Sequence, residues 1–183
     1  MNYDWREIFK ESAPLLSLMA FIGIMGGQIL YEIEDTLLAI PVFLVILPMM
    51  NGLGGNLGAI LGARISSGLH SGYISPNLFD KEMGVNVYLT TIMGGITYTT
   101  VALGVAASTS VIDLNVMAVN LILIIVGAGA IITVSTVLLT VLVSLWSYKK
   151  RLDPDNIVIP VITTLADFIS IIALFVMVWV VIL

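Results

Sequence analysis

Apolar runs of about twenty residues or more recur along the whole chain, separated by short polar stretches. A helix needs about 20 consecutive apolar residues to cross a hydrocarbon core about 30 Å thick. No water is available there, so each backbone N–H and C=O must be satisfied inside its own segment or in a closed barrel. A barrel strand would alternate in hydropathy over about ten residues, and no such alternation repeats here. Composition agrees: 59% of the 183 residues are hydrophobic and 10% are charged. A soluble domain of that length cannot hide so much apolar surface in one core. The pattern predicts an all-α polytopic membrane protein.

Five spans are predicted, at about 14–31, 37–66, 87–107, 116–146 and 157–183. They form a single transmembrane domain over residues 1–183, with no convincing internal repeat. The first carries Gly23, Gly26 and Gly27, small residues that admit a neighbouring helix. The second is too long for a straight perpendicular crossing, and Pro41 and Pro48 are expected to bend it. Ahead of the first span, residues 1–12 mix both charge signs, unlike a signal peptide, and predict a cytoplasmic interfacial helix with Tyr3 and Trp5 at headgroup level. With five spans, Arg6, Lys10, Arg64, Lys81, Lys149, Lys150 and Arg151 all fall on the amino-terminal side. The opposite loops hold Glu32, Glu34, Asp35 and Asp113. The positive-inside rule then places the amino terminus in the cytoplasm and the carboxyl terminus outside a cell membrane. Lys149-Lys150-Arg151 serves as a topology anchor that meets anionic lipid.

Several function classes drop out. The chain has no cysteine, so thiolate ligation and thiol catalysis are excluded. A single histidine, His70, excludes a multi-histidine Zn or Cu site within one chain and reads as interfacial. The net charge of −5 comes with no basic run suited to nucleic acid. No GxSxG and no second midplane Asp accompany these absences, so an enzyme is not expected.

An ionisable group deep in a membrane is expensive and points to function. Asp167 lies about ten residues into the fifth span, roughly 15 Å from its start at 1.5 Å per residue. Pro160, Thr163, Thr164, Asp167 and Ile171 recur at three- and four-residue spacing, on one helical face. Hydroxyls and carbonyls beside a carboxylate are oxygen ligands, which hard cations prefer. The second span offers Asn51 and Asn56 within a glycine-rich stretch, with Asn56 expected at a depth similar to Asp167. Gly54 and Gly55 are expected to line the route with Pro160 and Ile171, exposing backbone carbonyls. Gln28, Asn120, Thr133, Ser135 and Thr136 read as packing or back-bonded groups.

The segment LPMMNGLGGNLGAILGARISSGLHSG resembles the second-helix signature of the MgtE magnesium transporters and their eukaryotic solute-carrier relatives. The segment LDPDNIVIPVITTLADFISIIALF resembles their fifth-helix signature. The DPDN start, the ARIS element and Leu69-His70 look closer to the solute-carrier branch, and Glu34 fits the family spacing ahead of Gly-Gly-Asn. The resemblance implies a homodimer of five-helix units in the bilayer, with an ion path at the dimer interface. Asp167 would be the central Mg²⁺ site, contributed by both subunits, with Asn56 and Thr163 along the path. Eukaryotic relatives fuse two such units, whereas this chain has one and is expected to pair with itself. It is not expected to carry the cytoplasmic regulatory domains of long bacterial members, and it has Ile159 where the bacterial branch often has Asn.

The expected function is therefore a divalent cation (Mg²⁺) transporter or channel. Two alternatives stand beside it: a Na⁺- or H⁺-coupled divalent cation exchanger, with Asp167 alternating between proton and metal, and a non-transporting membrane scaffold subunit.

Overall fold

The structure is a computed structural model that describes residues 5–32, 34–39, 41–108 and 117–182. Tyr3, Asp113, Val116 and Leu183 lie outside the described residues. Six helices follow in order: α1 (Trp5–Glu32), α2 (Glu34–Ala39), α3 (Val42–Ser71), α4 (Lys81–Ser108), α5 (Ala118–Lys149) and α6 (Pro154–Ile182). No strand occurs among the described residues. Five of the helices, all but α2, are long and apolar enough to cross a membrane. The chain is an all-α, multi-pass membrane protein with five spans.

The helix ends follow local chemistry. Trp5–Ser12 is not a separate helix but the first turns of α1. The apolar run at Leu37–Leu38 belongs to the short α2, and α3 starts only after Pro41, whose carbonyl accepts the Leu44 N–H at 3.0 Å. Proline suits this place because its fixed φ matches a helix start and its missing N–H would have no partner there. At the other end α3 continues past Ser66 to Ser71 and stops at Gly72, whose φ of 74° glycine adopts without strain. Asp80 opens α4. Its Oδ1 accepts the N–H groups of Glu82 (3.0 Å) and Met83 (3.1 Å), and its Oδ2 accepts that of Ser75 (3.2 Å). These bonds, the one from Met83 foremost, hold the Asp80 carboxyl below the usual carboxylate range.

Glycines set how the spans pack. On α3, Gly54, Gly58 and Gly62 form a stripe at four-residue spacing. A Cβ on Gly54 would lie 2.7 Å from Ile132 and 3.4 Å from Ala166. One on Gly58 would overlap Ile162, and one on Gly62 would lie 2.6 Å from Val158. The order of these partners shows α3 and α6 antiparallel, and α3 parallel to α5. Without side chains at the seam the backbones approach closely, which is how helices associate when lipid supplies no hydrophobic contrast. On the other side of α5, Tyr98 of α4 fills the space over Gly129, and Thr133 fills that over Gly94. α1 packs along α6, with Gly26 against Phe168 and Ile171.

Two apolar clusters result. One joins Phe43, Ile46 and Met50 of α3 to Tyr98, Ile124, Ile125, Ile132 and Leu174. The other, nearer the α3–α4 loop, joins Leu61, Ile65 and Leu69 to Met83, Val141 and Leu145, with Ile74 of the loop tucked beneath Gly68.

Candidate functional site

Asp167 stands at the midpoint of the 29-residue α6. Its side chain is exposed on the surface of the chain, although Ala166 just before it and Ser170 three residues on are fully buried. One helical turn away, Thr163 is half-buried and rests against Gly55 of α3. Its hydroxyl donates to the carbonyls of Ile159 (2.9 Å) and Pro160 (3.2 Å). That commits the Thr163 proton to the helix and leaves the oxygen lone pairs for an outside partner. Thr164 and Pro160 are half-buried on the same helix. Pro160 cannot give the Asn156 carbonyl the backbone donor a helix normally supplies.

The register of α3 against α6 sets the facing oxygens. Gly54 opposes Ala166 and Gly55 opposes Thr163, so the turn Asn51–Leu53 lies level with Asp167. Asn56 lies level with Thr163, about one turn from Asp167 instead of beside it. The sequence-based depth assumed that α3 ends near Ser66, and its five further residues shift the count. Asn56 is exposed on the same side of the chain as Gly52, where an added Cβ would meet nothing within 4 Å. Asn51 is half-buried, and its Oδ1 is a buried acceptor with no donor among the described residues. A buried amide oxygen without a partner costs about 1–3 kcal/mol.

Three residues expected along the route are buried within the chain. Gly54 and Gly55 are buried, and they face Ile132, Ala166 and Thr163 within the chain. Their smallness serves helix approach and leaves no backbone open on the Asp167 side. Ile171 is 8% exposed, covered by α1 around Gly26. The open position is Gly52. Its surroundings distinguish it from Gly54 and Gly55, and in the sequence all three look alike.

Tyr98 adds a feature that the sequence does not flag. It is 1% exposed, and its hydroxyl donates to the Met50 carbonyl at 3.2 Å, tying α4 to the turn that carries Asn51. Behind the α3 glycines, α5 presents a buried column of hydroxyls at Thr133, Thr136, Thr140 and Ser144. Thr140 back-bonds to the Thr136 carbonyl at 2.7 Å, whereas the hydroxyl oxygens of Thr133, Thr136 and Ser144 have no partner among the described residues. This column is buried inside the chain, whereas Asp167 is exposed.

Among the described residues no group of three or more His, Cys, Asp or Glu side chains is placed to hold a metal ion. The site in one chain is a single carboxylate with neutral oxygens around it. Such a set suits a cation that keeps most of its water, and it does not suit a fully dehydrated ion.

Comparison with known proteins gives one match. Residues 47–177 match the family model MgtE, described as divalent cation transporter. No curated protein and no solved structure matches significantly.

Proposed function

Because this chain belongs to the MgtE family of divalent cation transporters, we propose that it moves Mg²⁺ along the face shared by α3 and α6, with Asp167 as the central site. The observation that carries the proposal is the exposed carboxylate at mid-span. Facing lipid, it would cost on the order of 3 kcal/mol on insertion scales. A hydrated route with a cation in it removes that cost. A second copy of the chain can form the other wall, since a two-fold axis pairs the same surface on both subunits. Two Asp167 carboxylates would then face each other. They repel strongly unless a positive charge lies between them.

Mg²⁺ fits this arrangement because it dehydrates reluctantly and is commonly held by one or two carboxylates and retained waters. Asn51 and Asn56 would accept from or donate to those waters, the Thr163 oxygen would accept from them, and the Thr164 hydroxyl could do either. Pro160 thins the backbone bonding toward the basic end of α6. Gly52 leaves room at the level of Asp167. The excess of Lys and Arg flanking the spans puts the amino terminus in the cytoplasm.

The test is Mg²⁺ uptake into liposomes holding the purified protein, wild type beside Asp167→Asn, with Mn²⁺, Co²⁺ and Ca²⁺ as competitors. The substitution keeps size and hydrogen bonding and removes the charge. It is expected to abolish most flux while the dimer persists on a sizing column. Full flux in Asp167→Asn takes the carboxylate out of the mechanism. Flux that follows an imposed Na⁺ or pH gradient assigns coupled exchange instead of a passive path.

A further inference from the structure

A second polar concavity lies at the far end of α6, about 20 Å from Asp167 along the helix. It has a volume of about 620 Å³ and opens between the end of α3, the α3–α4 loop and the α5–α6 turn. His70, Tyr148, Lys149, Arg151 and Asp153 line it. The His70 ring stands edge-on to Tyr148, with centroids 6.0 Å apart, and its Nδ1 lies 3.5 Å from Ser66 Oγ. The imidazole is thus fixed in the wall.

The backbone beneath this wall is strained. The Leu152 N–H bonds the Ser147 carbonyl at 3.0 Å, and the Arg151 N–H bonds the Tyr148 carbonyl at 3.0 Å. This pair of bonds is the Schellman closure of a helix, and its left-handed position normally belongs to glycine. Here it is occupied by Arg151 with φ 60°, the one positive-φ residue other than glycine among the described residues. A Cβ in that region clashes with the backbone, so glycine would close α5 at less cost. The helix end does not account for an arginine. The cavity does, since the side chain lines it beside Lys149.

We propose that this cup binds a phosphate group, presented by an anionic phospholipid at the membrane edge. Arginine offers a planar fork of donors to phosphate oxygens, and lysine supplies a compact charge. Lys149 is the last residue of a 32-residue apolar helix, the level at which lipid headgroups sit. Tyr148 and the half-buried Leu152 supply apolar surface for the start of the acyl chains. The cup is distinct from the Asp167 face, and its occupancy does not depend on the ion path.

The test uses the purified chain in detergent, stripped of lipid, with thermal unfolding as readout. Phosphatidylglycerol is expected to raise the melting temperature more than phosphatidylcholine, whose choline covers the same phosphate. Arg151→Gly is expected to melt at or above the wild-type temperature without lipid, because it relieves the strained φ, and to lose at least half of the phosphatidylglycerol shift. Lys149→Gln is expected to lose a similar share. Inorganic phosphate that reproduces the shift supports the phosphate site and reassigns its source to solution. Equal shifts with both lipids overturn the proposal. So does a full phosphatidylglycerol shift in Arg151→Gly, or a lower melting temperature for that variant before lipid is added, since the fold itself would then be what holds Arg151.

Discussion

Two glycines on α3, six residues apart, should respond in opposite ways to the addition of one methyl group. At Gly58 the new Cβ would overlap Ile162 and lie 2.8 Å from Thr136 Cγ2. Ordinary carbon–carbon contact is about 3.5–4.0 Å, so α3 must move by about 1 Å from α5 and further from α6. Overpacking costs typically about 1–3 kcal/mol, and two overlaps at one Cβ put this case in the upper part of that range, about 2–3 kcal/mol. Alanine recovers up to about 1 kcal/mol of helix propensity over glycine. The net expectation for Gly58→Ala is a loss of about 1–2 kcal/mol, or a few degrees in melting temperature at about 2–4 °C per kcal/mol for a chain of this size. At Gly52 nothing lies within 4 Å, so alanine meets no obstacle inside the chain and should keep or raise the melting temperature. Gly52 is exposed beside Asn56 and level with Asp167, so its added methyl enters the proposed ion route. Thermal unfolding in detergent and Mg²⁺ flux in liposomes, measured on both variants, separate the two effects. Gly58→Ala should lose stability first, and Gly52→Ala should lose flux with stability intact. A Gly58→Ala variant that melts with the wild type would refute the close α3–α6 seam. Wild-type flux in Gly52→Ala would refute the placement of the route.

Three further outcomes follow from the same geometry. Tyr98→Phe removes the bond to the Met50 carbonyl and should cost about 1 kcal/mol in thermal unfolding, with a lowered flux because the Asn51 turn loses its tie to α4. Asp80 titrates below its unfolded value, so its contribution to stability is present above about pH 4 and fades as pH falls through the lower folded pKa; amide exchange at the start of α4 should accelerate there, and Asp80→Asn should abolish that pH dependence. Since the chain has no cysteine, Asn56→Cys gives a clean cross-linking probe: oxidant should join two copies in the membrane, Mg²⁺ should change the yield, and a strictly monomeric product would argue against a two-fold α3–α6 interface.

Much of the candidate site is legible in the sequence, and the reason differs from residue to residue. Asp167 announces itself because a carboxylate inside an apolar run is too costly to be accidental. Asn51 and Asn56 stand out on the same ground, more weakly. Thr163 and Thr164 follow from helical spacing to Asp167. Gly54 and Gly55 cannot be sorted from Gly52 by any rule on the chain alone, because a glycine that admits a helix and one that admits a hydrated ion have the same side chain. Tyr98 is hidden among the other residues of its span, and its bond to Met50 joins positions 48 residues apart. Arg151 looks like one member of a basic run until the φ of its backbone is known.

The amino-acid order alone determined the class of fold, the number of spans and the presence of a midplane acid. Each of these depends on local hydropathy measured against a bilayer of set thickness. The tertiary structure decided which side of each helix meets which neighbour, and hence that Asp167, Gly52 and Asn56 open outward while the hydroxyls of α5 are enclosed. In water, an apolar stripe would have revealed those faces beforehand. In a membrane the lipid is as apolar as the core, so a span can be hydrophobic all round, and only the contacts themselves distinguish its inside from its outside.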